Sequence, residues 1–268
     1  MKKFFKTLWS IVWPVVIYVV LAVIVETAFS ISMVFRQYFE TGSFDFNEIM
    51  NAVVQKSLYT TGIVNLISII IFALIIRSDR KKYPGPSDVQ YPNITIAAVM
   101  AAVGGCLVGN IILSASGILE SDEAFNVIND AILQSSVWVQ IAVAVILGPI
   151  TEELLFRGVV YKRVDRAYGF WPAAIVSSLA FGALHGNLSQ FIYAALLGML
   201  LAYAYHKSGR LWVCILMHMI ANAASLAIDS LIMLVPDPDA ATIVLLIVGA
   251  ALLAAGLFIM IKKPVKSK

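Results

Sequence analysis

Residues 137–160 read VWVQIAVAVILGPITEELLFRGVV. An almost wholly apolar run, Val137–Ile150, meets Glu152-Glu153 and resumes at Leu154-Leu155-Phe156, with Arg157 four residues after Glu153. The apolar length predicts a membrane-spanning helix over roughly 136–160, since about 20 such residues cross a bilayer. Ionisable groups in hydrocarbon are costly and tend to be kept for chemistry or transport. Two of the three histidines, His185 and His218, also fall in apolar segments.

The rest of the chain agrees with a membrane setting. Of 268 residues, 60% are hydrophobic and 13% charged, and the mean hydropathy is +0.89. Soluble domains are about 45–50% apolar and about 25% charged, so a soluble globular protein is excluded. The two cysteines, Cys106 and Cys214, lie in apolar segments, which leaves neither a disulfide framework nor a Cys-based zinc site. The C-terminus carries no Cys-a-a-X, so the chain is not itself expected to be prenylated. Met1–Lys6 precedes a long apolar run, roughly 8–34, without a clean Ala-x-Ala site; an uncleaved first span is expected.

Eight spans are expected, at roughly 8–34, 58–76, 94–118, 136–160, 170–186, 189–205, 211–234 and 240–261. No strand pattern and no internal repeat stands out. The fold class is therefore all-α, a bundle of about eight transmembrane helices in a single domain, 1–268, with the site among spans four, five and seven. Of 19 Lys+Arg, only Arg36 and Lys56 fall on the side opposite the N-terminus, the loops after spans two, four and six, and the C-terminus, Arg157 lying within span four. Glu120, Asp122, Glu123, Asp130, Asp237 and Asp239 occupy alternate loops. Positive charge clusters on the cytoplasmic side, which puts both termini in the cytoplasm of a multi-pass protein of the cell membrane. The outer segment Arg36–Tyr59 has room for a short interfacial helix.

Spans four and five form a helical hairpin turning at Ala167-Tyr168-Gly169, with Pro172 opening the second helix. Glu152 and His185 are nearly equidistant from that turn, so in antiparallel helices they share a height, each about 25 Å away at about 1.5 Å per residue. His218 and Asn222 lie about 10 and about 16 Å inside the seventh span by the same rise. Glu152, His185, His218 and Asn222 thus converge in the cytoplasmic half from three segments. Gly186–Gln190 must either cross to the outer side or form a buried turn. Pro149 deprives the Val145 carbonyl of its helical partner and kinks the helix beside the site.

Glu153 and Arg157, at i,i+4, form a structural ion pair. Phe181 lies one turn before His185, as core packing that orients the ring. Ser225 and Asp229 continue the stripe of His218 and Asn222 as polar helix contacts. Glu26, Asn110, Asn187 and Gln190 are weaker candidates, and His206 at a basic helix end is solvated. Gly104-Gly105 and the Gly198–Ala202 pair suit close helix packing. A carboxylate beside a histidine can hold a water and take its proton. A His and an Asn amide can donate to a developing oxyanion. Together they make a hydrolytic site for an amide, with no need for a Ser or Cys nucleophile.

Glu152-Glu153-x-x-x-Arg157, Phe181-x-x-x-His185 and His218-x-x-x-Asn222 resemble, in order, the three signature motifs of the CPBP family. This family contains the Ras-converting CAAX endopeptidases and bacterial abortive-infection-like membrane proteins. The resemblance covers roughly 136–233. It implies an intramembrane glutamate protease without metal or other cofactor. Glu152 and His185 would activate water, His218 and Asn222 would form the oxyanion hole, and Glu153 and Arg157 would support the site. The partners would be a lipidated or membrane-embedded peptide substrate and the lipid bilayer, with no nucleic acid. Two alternatives stay open on the residues alone. One is a zinc protease using His185, His218 and Glu152, although His-Glu-x-x-His is absent. The other is a non-catalytic transporter, scaffold or immunity protein on the same fold.

Overall fold

A computed structural model describes residues 1–84, 89–233 and 236–267. Helices dominate because hydrocarbon requires every backbone polar group to be satisfied within its own segment. Seven helices are long and apolar enough to cross a membrane. They are α1 (Lys2–Thr41), α2 (Phe46–Lys82), α3 (Thr95–Ala115), α6 (Val137–Tyr168), α8 (Leu188–Ser208), α9 (Leu211–Met233) and α10 (Pro238–Lys262). Two short helices, α4 (Ile118–Ser121) and α5 (Glu123–Gln134), link α3 to α6. The fifth expected span is α7 (Phe170–Ala183), which has only 14 residues. Among the described residues the sole strand pairing is β1 (Val89–Gln90) with β2 (Lys266–Ser267), antiparallel. The chain is a polytopic membrane bundle, as its composition requires.

The segment after the first span corrects one expectation. No separate interfacial helix occupies 36–59; both helices simply continue. α1 runs to Thr41, Gly42 closes it at φ 71, and Asp45 caps α2 by accepting from the Asn47 and Glu48 N–H groups. Gln37 fastens the turn: its Oε1 accepts from the Asp45 N–H at 2.9 Å and its Nε2 donates to Glu48 at 2.6 Å. With 40 and 37 residues, the two helices are about 60 and about 55 Å long, well beyond the ~30 Å hydrocarbon core.

The loops expected to share a side do meet. Lys3 donates to the Ala167 carbonyl, Arg163 pairs with Asp79 at 2.7 Å, and Lys263 donates to the Asn93 carbonyl. At the opposite end, Gly186 (φ 74) turns the chain after α7, and Asn187 caps α8 by accepting from the Gln190 N–H. Asp122 binds this turn from outside. One carboxylate oxygen accepts from the Phe125 N–H at the start of α5, the other from the Ser189 N–H at the start of α8, at 2.8 Å. Gly186–Gln190 is thus a turn tied to the α4–α5 segment, with Asn187 and Ser189 buried.

Glycines set two close approaches. A Cβ on Gly104 would overlap the backbone of α10 at Gly249 and Leu253, so α3 and α10 pack main chain to main chain. A Cβ on Gly198 would stand 3.0 Å from Ser178. That approach of α7 to α8 also leaves the Gly198 carbonyl accessible from α6.

Candidate active site

The site is assembled on α6, which is not a uniform α-helix. Residues Gln140–Leu147 and Leu154–Tyr161 are π-helical, and Gly148–Glu153 between them is α-helical. In the first π segment the Gly148 N–H bonds to the Val143 carbonyl, five residues back. The next carbonyl, Ala144, would need the N–H of residue 149, and Pro149 has none. Asn222 on α9 supplies the missing donor, Nδ2 to Ala144 O at 2.8 Å. α-helical counting put the orphan at Val145; the π register moves it back one residue. Short π segments are frequent at functional sites.

Glu152 and Glu153 follow within the α-helical turn, about 100° apart around the axis. The Glu152 side chain keeps 21% of its surface and opens on a cavity. Glu153 is wholly buried. Its Oε1 accepts from Arg157 Nη1 at 2.8 Å and from His218 Nδ1 at 3.0 Å. Its Oε2 has no hydrogen-bond partner among the described residues, so Oε1 carries both contacts. Arg157, also fully buried, donates from Nη2 to the Gly198 carbonyl at 3.1 Å and lies 4.8 Å over the Phe181 ring.

Phe181 ties the rings together. Its edge-on contacts reach His185 at 5.1 Å and His218 at 5.4 Å between centroids. Its carbonyl pairs with His185 Nδ1 at 2.9 Å. A carbonyl only accepts, so Nδ1 carries the hydrogen and Nε2 is left as an acceptor in the neutral ring. His218 presents Nε2 at 3.5 Å from Glu152 Oε2. The ring paired with Glu152 is therefore His218. His185 makes no ion pair or hydrogen bond to Glu152, and the two share the cavity wall instead.

That cavity has a volume of about 430 Å³ and brings together Glu152, His185, His218 and Asn222 from α6, the α7–α8 turn and α9. Glu153 and Arg157 lie behind it. Ser225 reaches it too and donates to Asn110 Oδ1 at 3.4 Å, the polar helix contact expected of it. The Asp229 side chain lies outside the described residues. Among those described, no group of three or more His, Cys, Asp or Glu is arranged to hold a metal ion.

Sequence reasoning missed Tyr18 and Asn65 on this wall. Tyr18 on α1 donates to Asn65 Oδ1 at 3.4 Å, and the Asn65 carbonyl accepts from Thr151 beside Glu152. Asn65 and Thr151 are polar groups in apolar spans, and that alone was the available signal.

Comparison with known proteins meets the same region. Residues 134–224 match the family model described as Rce1-like, type II CAAX prenyl endopeptidase. The chain is 26% identical over 177 residues to "Putative membrane peptidase YdiL" of Bacillus subtilis (strain 168), covering 63% of this chain and 72% of that relative. It is 34% identical over 86 residues to "Uncharacterized 24.3 kDa protein" of Escherichia coli, covering 30% and 40%. No solved structure matches. The matched stretch contains all three motifs, and over these residues the chain is similar to the Rce1-like CAAX endopeptidases.

Proposed function

We propose that this membrane protein is an endopeptidase in which Glu152 and the two histidines hydrolyse a peptide bond without a metal ion. One observation carries the reading. Glu152 faces a cavity beside His218, and the other nitrogen of that ring is held by a buried carboxylate that is itself ion-paired. A histidine whose far nitrogen is fixed by a carboxylate has a defined orientation and tautomer.

The chemistry runs as follows. A water in the cavity is held by Glu152 and the free Nε2 of His185. Its oxygen attacks the scissile carbonyl carbon as Glu152 takes the proton. The oxyanion receives the second amide hydrogen of Asn222, the first being committed to Ala144. His218 donates from Nε2 as well when its ring carries both protons, since Nδ1–H is given to Glu153. The C–N bond then breaks and the leaving nitrogen takes the proton from Glu152. Glu153 and Arg157 hold His218 and the helix in place.

The chain acts as one transmembrane unit on a lipidated or membrane-embedded peptide drawn from the bilayer. Its basic end and both termini face the cytoplasm across the plasma membrane. The test compares peptides released from membranes carrying wild type and Glu152→Ala. Peptides that vanish with the carboxylate, at a rate loss of about 10²–10⁴-fold and undiminished by chelator, are the expected result. Identical peptide profiles refute catalysis, and activity lost to chelator and restored by zinc refutes the metal-free mechanism.

A further inference from the structure

Several polar groups in the cavity are left unused by this chemistry, and they gather at its far end. Ser225 lies seven residues beyond His218 on α9, about 10 Å along the axis at about 1.5 Å per residue. There it meets Asn110 of α3, outside the stretch matched by the family model. Tyr193 of α8 completes the group, and all three line the cavity. Its ring lies against Gly109, where a Cβ would come within 3.2 Å of the ring carbons, so α3 is shaped to seat it.

The hydrogen-bond inventory is incomplete in an informative way. Asn110 spends Nδ2 on the Cys106 carbonyl at 2.9 Å and accepts from Ser225 through Oδ1. Ser225 Oγ, donating there, can still accept. The Tyr193 hydroxyl is buried beside the Cys106 thiol and the Asn110 amide and forms no well-aligned hydrogen bond among the described residues. Of the buried hydroxyls left without a partner there, it is the one that lines the cavity. An unpaired buried hydroxyl costs several kcal/mol by the hydrocarbon reference. A helix-to-helix contact accounts for Ser225 and Asn110 but leaves the Tyr193 hydroxyl without a well-aligned partner. No Lys or Arg lines the cavity among the described residues, so nothing there offsets the charge of a carboxylate.

We propose that Tyr193, Asn110 and Ser225 form a second subsite, which binds an uncharged group able both to donate and to accept hydrogen bonds. A side-chain amide or a hydroxyl fits that description. The Tyr193 hydroxyl donates to it, and the oxygens of Ser225 and Asn110 accept from it. An extended chain advances about 3.3 Å per residue, so this group lies about three residues from the scissile bond. The placement rests on the peptidase reading; the recognition chemistry does not.

The test is equilibrium binding of three probes to the purified full-length protein in detergent: N-decanoyl tripeptide amides ending Leu-Leu-Asn, Leu-Leu-Leu and Leu-Leu-Asp. Wild type is expected to bind the Asn probe about three- to tenfold more tightly than the Leu probe, the worth of one net hydrogen bond, and the Asp probe most weakly. Tyr193→Phe, which keeps the ring on Gly109, brings the Asn-to-Leu ratio to about one, and Ser225→Ala lowers it partway. Glu152→Gln leaves the ratio as in wild type. Equal binding of the Asn and Leu probes by wild type overturns the subsite, as does a ratio that survives Tyr193→Phe. Binding needs no cleavage, so a failure of Glu152-dependent hydrolysis would leave the preference in place, and a lost preference would leave hydrolysis in place.

Discussion

Pro14 in α1 and Pro149 in α6 do the same thing to the backbone and meet different ends. Each removes an N–H from an apolar helix and strands a carbonyl. In α1 the stranded group is Ser10 O, four residues back, and Arg163 from the tip of α6 donates to it. In α6 it is Ala144 O, five residues back in a π register, and Asn222 donates to it. The first clamp is built from a guanidinium that also pairs with Asp79 and stacks on Trp13, at the charged end of the bundle. The second is built from a cavity-lining amide with a hydrogen to spare. A repair made by a side chain bound up in a salt bridge away from the cavity is architecture; a repair made by an amide that lines the cavity and keeps a free donor leaves chemistry available.

The largest effect should come from the group behind the second clamp. Arg157→Met leaves the buried Glu153 carboxylate without its cation, at about 3–5 kcal/mol for a broken buried pair. Thermal unfolding in detergent should show it; an unchanged midpoint would mean that Glu153 is not charged.

Next comes the clamp itself. Asn222→Ala should lower cleavage about 10²–10³-fold if its spare hydrogen serves the oxyanion, and should also cost some stability. Pro149→Ala returns an N–H near Ala144. In the double variant stability should recover while activity does not; recovery of both would reduce Asn222 to a structural clamp.

The first clamp should behave the other way. Arg163→Met should lower the unfolding midpoint by the worth of lost charged hydrogen bonds, about 1–3 kcal/mol, with cleavage retained. Pro14→Ala should reduce that loss.

The smallest effect concerns Asp122, whose carboxyl sits below its usual pKa chiefly because the Ser189 N–H donates to it. The folded value is depressed, so the stabilisation is present above the unfolded value, about 3.9. It is lost as pH falls through the folded one. The protection factor of the Ser189 amide, its exchange rate relative to the intrinsic rate at each pH, should fall on acidification below pH 4, and Asp122→Asn should flatten that dependence.

Much of this was legible in the chain. Apolar length and loop charge are local properties, and they gave the bundle and the grouping of its basic loops. The convergence of Glu152, His185, His218 and Asn222 followed from counting residues from a turn. What the count could not give was lateral pairing. Which histidine faces Glu152 depends on how α7 and α9 roll against α6, and the seating of Arg157 on Phe181 and at Gly198 fixes that roll. The π register was equally hidden, since it changes which carbonyl Pro149 strands without changing a single residue. Tyr18, Asn65 and Tyr193 were missed because they reach the cavity from helices whose own patterns are ordinary.

The shortness of α7 has a consequence for the lipid. Fourteen residues span about 21 Å, some 9 Å less than the hydrocarbon core. Bilayers meet such a mismatch by thinning locally, at fractions of a kcal/mol per Å. Thinning of this kind would fall where α7 stops, two residues before His185, and would shorten the path by which water reaches the cavity. Turnover in bilayers of increasing acyl length should therefore decline as that dimple becomes costlier to hold.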